Sequence, residues 1–295
     1  MMDERLVRHP LGFWRVKDIP DPEALKDYYE KLYFQTGQSN YRESYPPAEI
    51  EWFNIKTARI AHAVAQQRQS QDPGTLLDIG CGEGFSMNWF HQAGWTVNGL
   101  DYSRAGMTNM HPHLLDRLET GDVLQLIEQK MSGPQKYDVL WLTNVLEHVI
   151  DPIQLLTQLT RLLAPNGALV ITVPNDASAW QEHLFDQGTI DRRFWIAIPD
   201  HLSYFDADSM KNLAQATGWH CSQILADFPI DWFLGNTESN YVNTPSKGQP
   251  AHQARILIDS IIAKMPIDKV NAFYGAMASI GMGRQLTAIF TKVHP

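Results

Sequence analysis

The sequence predicts an α/β fold, a doubly wound sheet with helices on both faces. Three observations carry that expectation. From residue 75 onward, short aliphatic runs alternate with stretches of helical length and spacing. The first run ends in Gly80-Cys81-Gly82-Glu83-Gly84, three glycines in five positions. An acid, Asp101, closes the second run about 20 residues beyond the glycines, the spacing of a nucleotide-binding β–loop–α–β unit.

Each element follows in order. "TLLDIG" (75–80) is an aliphatic run bounded by Pro73-Gly74 and the glycines, which fits a buried parallel strand. "FSMNWFHQA" sets Phe85, Trp89 and Phe90 at helical spacing, and Gly94 ends that helix. "WTVNGLD" is the next strand, closing on Asp101. "YDVLWLTN" (137–144) reads as a strand and "PIQLLTQLTRLL" (152–163) as a helix. "ALVITV" (168–173) is a strand after a turn at Pro165-Asn166-Gly167. "DADSMKNLAQATG" is a helix capped by Asp206 and stopped at Gly218, and strands follow at 219–226 and 285–291.

Composition narrows the function classes. The 295 residues, 44% hydrophobic and 19% charged, can bury a full core. No apolar run reaches the ~18 residues of a membrane span, and "MMDERLVRHPLGFW" lacks the apolar centre of a signal peptide. Cys81 and Cys221 are the two cysteines, which points to a reducing cytoplasmic compartment without a disulfide framework. A net charge of −9 with no long basic block argues against nucleic acid as a substrate. A homodimer is allowed and not required.

The ligand of the glycine loop is decided by its surroundings. A dinucleotide fingerprint needs G-x-G-x-x-G, whereas here the third glycine arrives one residue early and Glu83 adds negative charge where a pyrophosphate would lie. An NAD-type oxidoreductase is disfavoured on that ground. A ligand with an amino-acid end and a sulfonium suits a loop bordered by Asp78 and Glu83. The stretches "LLDIGCGEGF", "GLDYS", "GDV", "YDVLWLTNVLEHVIDP" and "LLAPNGALVITVPN" together resemble the class I S-adenosylmethionine-dependent methyltransferases. "NVLEHV" is similar to the small-molecule branch that includes the ubiquinone-biosynthesis O-methyltransferases.

The resemblance implies a mostly parallel, seven-stranded Rossmann-like sheet and S-adenosylmethionine as cofactor. It implies that Asp78 and the loop Gly80, Cys81, Gly82 and Gly84 hold the methionine moiety. Asp101 would bind the ribose diol, Tyr102 or Ser103 would border the adenine, and Asp122 with Val123 would meet its amino group. Asn144 and Val145 would line the cofactor near its sulfur. Against the usual fold, residues 1–72 form an N-terminal cap, 73–226 the cofactor-binding core, 227–284 an inserted acceptor lid, and 285–295 the last strand. The cap includes "YYEKLYFQTGQSNY" (28–41).

On the acceptor side, a hydroxyl gains from a histidine base with a pKa near working pH. His148 in "LEHV" and His201 in "PDHLSYF" are the two candidates, and each has the plainer alternative of shaping a loop through backbone hydrogen bonds. His111 and His113 around a proline lack the further ligands of a zinc site, so no metal is expected. The aromatics of "FWIAIP" (194–199) are expected to pack rather than cage a substrate. Arg284, after the turn in "GMGR", is expected to receive an anionic group, and Tyr241 with Asn236, Asn240 and Asn243 to form a polar roof. That roof makes a sugar or sugar-nucleotide hydroxyl the first acceptor and a quinone-like phenol the second. From another class, the chain is a cofactor-binding protein acting through partners without catalysis.

Overall fold

The aliphatic runs assemble side by side because each is apolar on both faces and needs cover on both. In the computed structural model, which describes residues 3–21 and 42–293, β3 (Thr75–Ile79) lies between β4 (Thr96–Asp101) and β6 (Tyr137–Thr143), parallel to both. β5 (Leu118–Thr120) extends one edge and β7 (Leu163–Pro174) the other. β10 (Gln285–Lys292) enters antiparallel between β7 and β9 (Trp219–Ala226). The order is β5-β4-β3-β6-β7-β10-β9, a seven-stranded, mostly parallel sheet.

Leu76, Leu77, Ile79, Val139, Leu140 and Leu142 are fully buried, as the run composition requires. Helix α1 (Pro47–Arg68) and α2 (Phe85–Gln92) cover one face through Ile60, Val64, Met87 and Phe90. After α3 (Ala105–Met110), α4 (Val123–Met131), α5 (Pro152–Leu159) and α7 (Ala207–Ala216) cover the other face through Ile127, Leu156 and Leu213. Each such side chain contributes about 1.5–3 kcal/mol by leaving water. α6 (Ala179–Asp186) lies between β7 and α7 in the chain, outside both of these layers. No helix of the described residues is long and apolar enough to cross a membrane.

Three details depart from the sequence reading. β5 was not anticipated, because it spans three residues of which only Leu118 is apolar. The helix expected over 152–163 stops at Leu159, with Asp151 capping its start through Gln154 N–H at 2.9 Å. Pro165-Asn166-Gly167 is an irregular stretch inside β7 instead of a turn before it. Leu163 already pairs with Tyr137, and the register then jumps so that Val139 faces Ala168.

Outside the core, β1 (Leu6–Arg8), β2 (Trp14–Val16) and β8 (Ser203–Tyr204) form a small antiparallel sheet. Residues 28–41 of the expected cap lie outside the described residues. The 227–284 segment carries α8 (Gly248–Ile262) and α9 (Ile267–Ser279). α8 meets α1, where Trp52 Nε1 donates to Asp259 at 2.7 Å. α9 packs Val270, Tyr274 and Met277 on Ala226 and Leu286.

Candidate functional site

The carboxyl ends of β3, β6 and β7 open under α1 and α8 into a cavity of about 1760 Å³. Single-ligand pockets run to roughly 300–1,000 Å³, so this one has room for two small molecules. Its floor is the glycine loop. Gly80 has φ +70°, and a Cβ there would sit 2.4 Å from a Val145 methyl. The missing side chain therefore makes room for Val145 and not for a ligand, and Val145 itself does not line the cavity. The loop is pinned to the end of β4. The N–H groups of Gly80 and Cys81 donate to Leu100 O at 2.8 and 3.1 Å, and Gly82 N–H to Asp101 at 2.8 Å.

Asp78, at the last turn of β3, faces the cavity at 3% exposure and accepts no hydrogen bond from the described residues. Burial, with the Asp101 charge adding to it, pushes its carboxyl up to about 8. It is an acid short of a cation. Asp101 accepts from Gly82 N–H and, at 2.9 Å, from Ser103 N–H, so its carboxylate is held in one orientation. Burial raises its pKa against the pull of those bonds. Cys81 lines the cavity with its thiol pushed well up by burial.

Asp101, Tyr102, Asp122 and Val123 stand outside the enclosed cavity, along the β4 and β5 ends. Asp122 has a structural task of its own. It caps α4, accepting from Leu124 and Gln125 N–H at 2.9 and 3.1 Å, and Val123 is the first residue of that helix. Asn144 lines the cavity with φ +54°, its side-chain oxygen accepting from Gln285 at 2.9 Å.

The two candidate histidines, 53 positions apart in sequence, are brought together with their rings 5.0 Å apart. His148 sits on the short 3₁₀ turn Leu146–His148 after β6, and His201 on the loop before β8. One backbone bond joins these segments, Leu202 N–H to Glu147 O at 2.7 Å, and a second, Val16 N–H to Leu202 O at 2.9 Å, ties β2 to Leu202. Burial works against charge on His148. Its contacts with Asp200, at 2.8 Å to the carbonyl and 3.4 Å to the carboxylate, prevail with the Glu147 charge and raise its pKa to about 9. It is a cation at neutral pH. His201 Nδ1 makes no hydrogen bond with the described residues and lies 3.6 Å from Asp176.

Between the histidines sits Glu147, 1% exposed, with both carboxylate oxygens accepting no hydrogen bond from the described residues. Burial raises its pKa despite the nearby histidines. The sequence reading quoted "LEH" and passed over this residue, although an acid beside a candidate base was the available signal. Glu147, His148 and His201 present donor atoms within 4.8 Å of one another, a set that fits a divalent cation. The expectation of no metal, drawn from His111 and His113, did not consider this group. Those two are engaged elsewhere, His111 with Glu83 O at 2.7 Å and His113 with Asn88 at 3.1 Å.

The acceptor residues need correction. Tyr241 does not line the cavity; its hydroxyl donates to Asp231 at 2.6 Å and its ring packs beside Phe194. Asn236, Asn240 and Asn243 are likewise absent from the wall. Asn240 bonds Thr189 O at 2.8 Å and accepts from Val242 and Asn243 N–H, so it shapes its own loop. Arg284 does reach the cavity, but it is ion-paired to Asp176 at 2.7 Å, its charge secured by Asp176 and Asp231 against burial. Within 194–199, Trp195 is buried among Leu184, Ile190 and Leu234, a packing role as expected.

A family model described as "Methyltransferase domain" matches residues 53–224. The chain is 27% identical over 182 residues to the ubiquinone biosynthesis O-methyltransferase of Proteus mirabilis (strain HI4320), covering 57% of this chain and 71% of that protein. It is 27% identical over 190 residues to the protein of that name from Serratia proteamaculans (strain 568), covering 59% and 76%. Among solved structures, the Burkholderia thailandensis 1,6-didemethyltoxoflavin-N1-methyltransferase superposes with a TM-score of 0.54 at 12% identity, over 100% of this chain and 98% of that one. That likeness is one of fold.

Proposed function

The chain belongs to the methyltransferase-domain family, and from that premise we propose that it methylates a hydroxyl of a small acceptor with S-adenosylmethionine as donor. Its observed residues fit that cofactor. Asp78 offers an unpaired carboxylate for an ammonium group, beside a glycine loop fixed to β4. Asp101 would hold the ribose diol, and Tyr102, Asp122 and Val123 would flank the base at the β4 and β5 ends. When bound, S-adenosylmethionine supplies an electrophilic methyl carbon on a sulfonium sulfur.

The observation that carries the hydroxyl reading is His201, its ring set beside Glu147 and the charged His148 at the edge of the cavity. His201 would take the proton of the acceptor hydroxyl while the methyl carbon that the cofactor supplies exchanges its bond to sulfur for one to that oxygen. His148, whose pKa Asp200 and Glu147 raise to about 9 against burial, is the weaker candidate for that base at neutral pH; it pairs with Glu147 and Asp200. The walls of the cavity would align the acceptor for in-line attack. A quinone-like phenol now ranks ahead of a sugar. Relatives carrying the name ubiquinone biosynthesis O-methyltransferase support it, and the polar residues that favoured a sugar lie away from the cavity.

Calorimetry tests the cofactor. S-adenosylmethionine and S-adenosylhomocysteine should bind at about micromolar Kd, or about −8 kcal/mol, and NAD should not. Binding of NAD alone would overturn the reading. Asp101→Ala should weaken binding by about 1.5–3 kcal/mol through loss of a charge-assisted hydrogen bond.

The orphaned oxygens of Glu147 support a second reading, in which a divalent cation at Glu147, His148 and His201 lowers the hydroxyl's pKa in place of a histidine base. Dialysis against EDTA decides between them. Turnover that survives chelation is the expected result. Turnover lost on chelation and restored by Mg²⁺ or Zn²⁺ would replace the base with the cation.

A further inference from the structure

The cavity has a second charged end, away from the histidines, where α1 faces α8. Lys56 Nζ lies 4.6 Å from the centre of the Trp52 ring and the Arg255 guanidinium 4.5 Å from it. Lys56 donates to Gln285 at 3.1 Å, and Arg255 contacts His252 Nδ1 at 2.7 Å while its Nε is buried with no hydrogen-bond partner among the described residues. Among the described residues neither cation meets a carboxylate at ion-pair distance. Of the other cations of the wall, Arg284 has Asp176 at 2.7 Å and Arg42 has Glu49 at 3.5 Å. Arg59 also meets no carboxylate at ion-pair distance among the described residues, but it lies buried beneath the Tyr274 ring, donating to Ala226 O at 3.0 Å.

The acids nearby are engaged elsewhere. Asp259 on α8 accepts from Trp52 and Tyr274, and Glu49 on α1 bonds His252 at 2.8 Å. Asp227 after β9 accepts the N–H groups of Arg284 and Gln285 on Oδ1; its Oδ2 makes no hydrogen bond with the described residues, and Asp227 acts on Lys56 only from beyond ion-pair distance. Two half-buried cations on facing helices, with no carboxylate at ion-pair distance among the described residues, are less costly when a ligand brings an anion.

We propose that the α1–α8 end of the cavity is an oxyanion subsite, in which Lys56 and Arg255 hold a carboxylate or phosphate group of the acceptor beside Trp52. This rests on the methyltransferase reading and adds to it the acceptor's class: a small hydroxylated molecule that also carries an anionic group. It moves the anion-receiving role from Arg284, whose charge is already matched, to two residues the sequence reading did not name. Guanidinium and ammonium groups on opposite walls complement such an oxyanion from two sides.

The subsite should be pH-sensitive. Burial foremost, then the positive charges of Arg255 and Arg59, brings Lys56 down to about 8, with Asp227 and Asp259 pulling the other way. An arriving anion raises that pKa. Binding is therefore strongest where Lys56 is already protonated and weakens as pH climbs past 8.

The test uses protein saturated with S-adenosylhomocysteine, titrated with benzoate, inorganic phosphate and uncharged phenol. Benzoate or phosphate should bind, and whichever binds identifies the anion as carboxylate or phosphate. Lys56→Met and Arg255→Met should each weaken that binding at least tenfold, while Arg255→Lys, which keeps the charge, should retain most of it. The weakening above pH 8 should be absent from Lys56→Met. S-adenosylhomocysteine affinity should be unchanged in all three variants. Anions that bind no better to wild type than to the Met variants would overturn the proposal. So would a fall in S-adenosylhomocysteine affinity in the Met variants, which would assign the cations to the cofactor's own carboxylate. Wild-type protein that fails to bind S-adenosylhomocysteine would instead overturn the methyltransferase reading, independently of the anion titrations.

Discussion

His201→Ala lowers turnover roughly 10²–10⁴-fold, the range for loss of a general base, and leaves S-adenosylhomocysteine affinity nearly unchanged. The split follows from placement. His201 stands on the loop before β8, whereas the loop and acids assigned to the cofactor stand at the ends of β3, β4 and β5. Its Nδ1 is buried 3.6 Å from Asp176 without a hydrogen bond from the described residues, so loss of the ring breaks no hydrogen bond among them. His148→Ala should behave differently. It removes the cation that Asp200 and Glu147 surround, leaving buried acid without its counter-charge, and should lower thermal stability together with rate. The pH profile separates the two roles. A kcat that keeps climbing to about pH 9 in wild type, and loses that limb in His148→Ala, would transfer the base to His148.

Asp78→Asn weakens S-adenosylmethionine binding about 10–100-fold while making the ligand-free protein more stable, because the carboxylate is costly until a cation meets it. In the ligand-free fold, burial and Asp101 raise this acid from an ordinary 3.8 to about 8. An acid that holds its proton more tightly folded than unfolded favours the folded state below the unfolded pKa. That contribution drains away between about pH 4 and pH 8, as the unfolded chain ionises and the folded one does not. Each tenfold difference in proton affinity is worth about 1.4 kcal/mol, so asparagine should gain on the order of a few kcal/mol at pH 8 and almost nothing at pH 4. Chemical denaturation at the two pH values measures this. An ammonium drawing the carboxylate into ionisation reverses the shift, so wild-type affinity should rise towards pH 8. The ligand's own amine titrates against both proteins, and the difference between the wild-type and Asp78→Asn curves isolates Asp78. Parallel curves would show that no cation docks there.

The sheet was legible because each core strand is apolar on both faces and punctuated by turn residues. "TLLDI" and "YDVLWLT" admit no other reading at that length. β5 escaped because a three-residue edge strand with one leucine leaves no periodic trace. In the site, Asp78, Asp101 and Asn144 stood out as short-range features, each within or directly after a strand. Glu147 was in plain view, yet its meaning depends on a loop more than fifty positions downstream closing over it. Lys56 and Arg255 were illegible for the same reason. Each sits on an ordinary helix, and only the packing of α8 on α1 brings the two to one Trp52 ring without a carboxylate at ion-pair distance among the described residues. Tyr241 misled in the opposite direction: a polar residue in an inserted segment reads as a roof, but Asp231, ten positions earlier, takes up its hydroxyl.

The small sheet of β1, β2 and β8 gives the site a place in the order of assembly. Trp14 pairs with Tyr204, so the local β1–β2 pair lacks its third strand until β3 to β7 have all been synthesised. Closing so long a loop is among the slower steps available to a folding chain. The strands β3 to β7 can collapse on local and neighbouring contacts before it happens. A newly made molecule would then pass through a stage in which the glycine loop is formed while His201 has yet to be drawn against Glu147. Competence would arrive last, with the clasp between the chain's beginning and the segment that leads into α7.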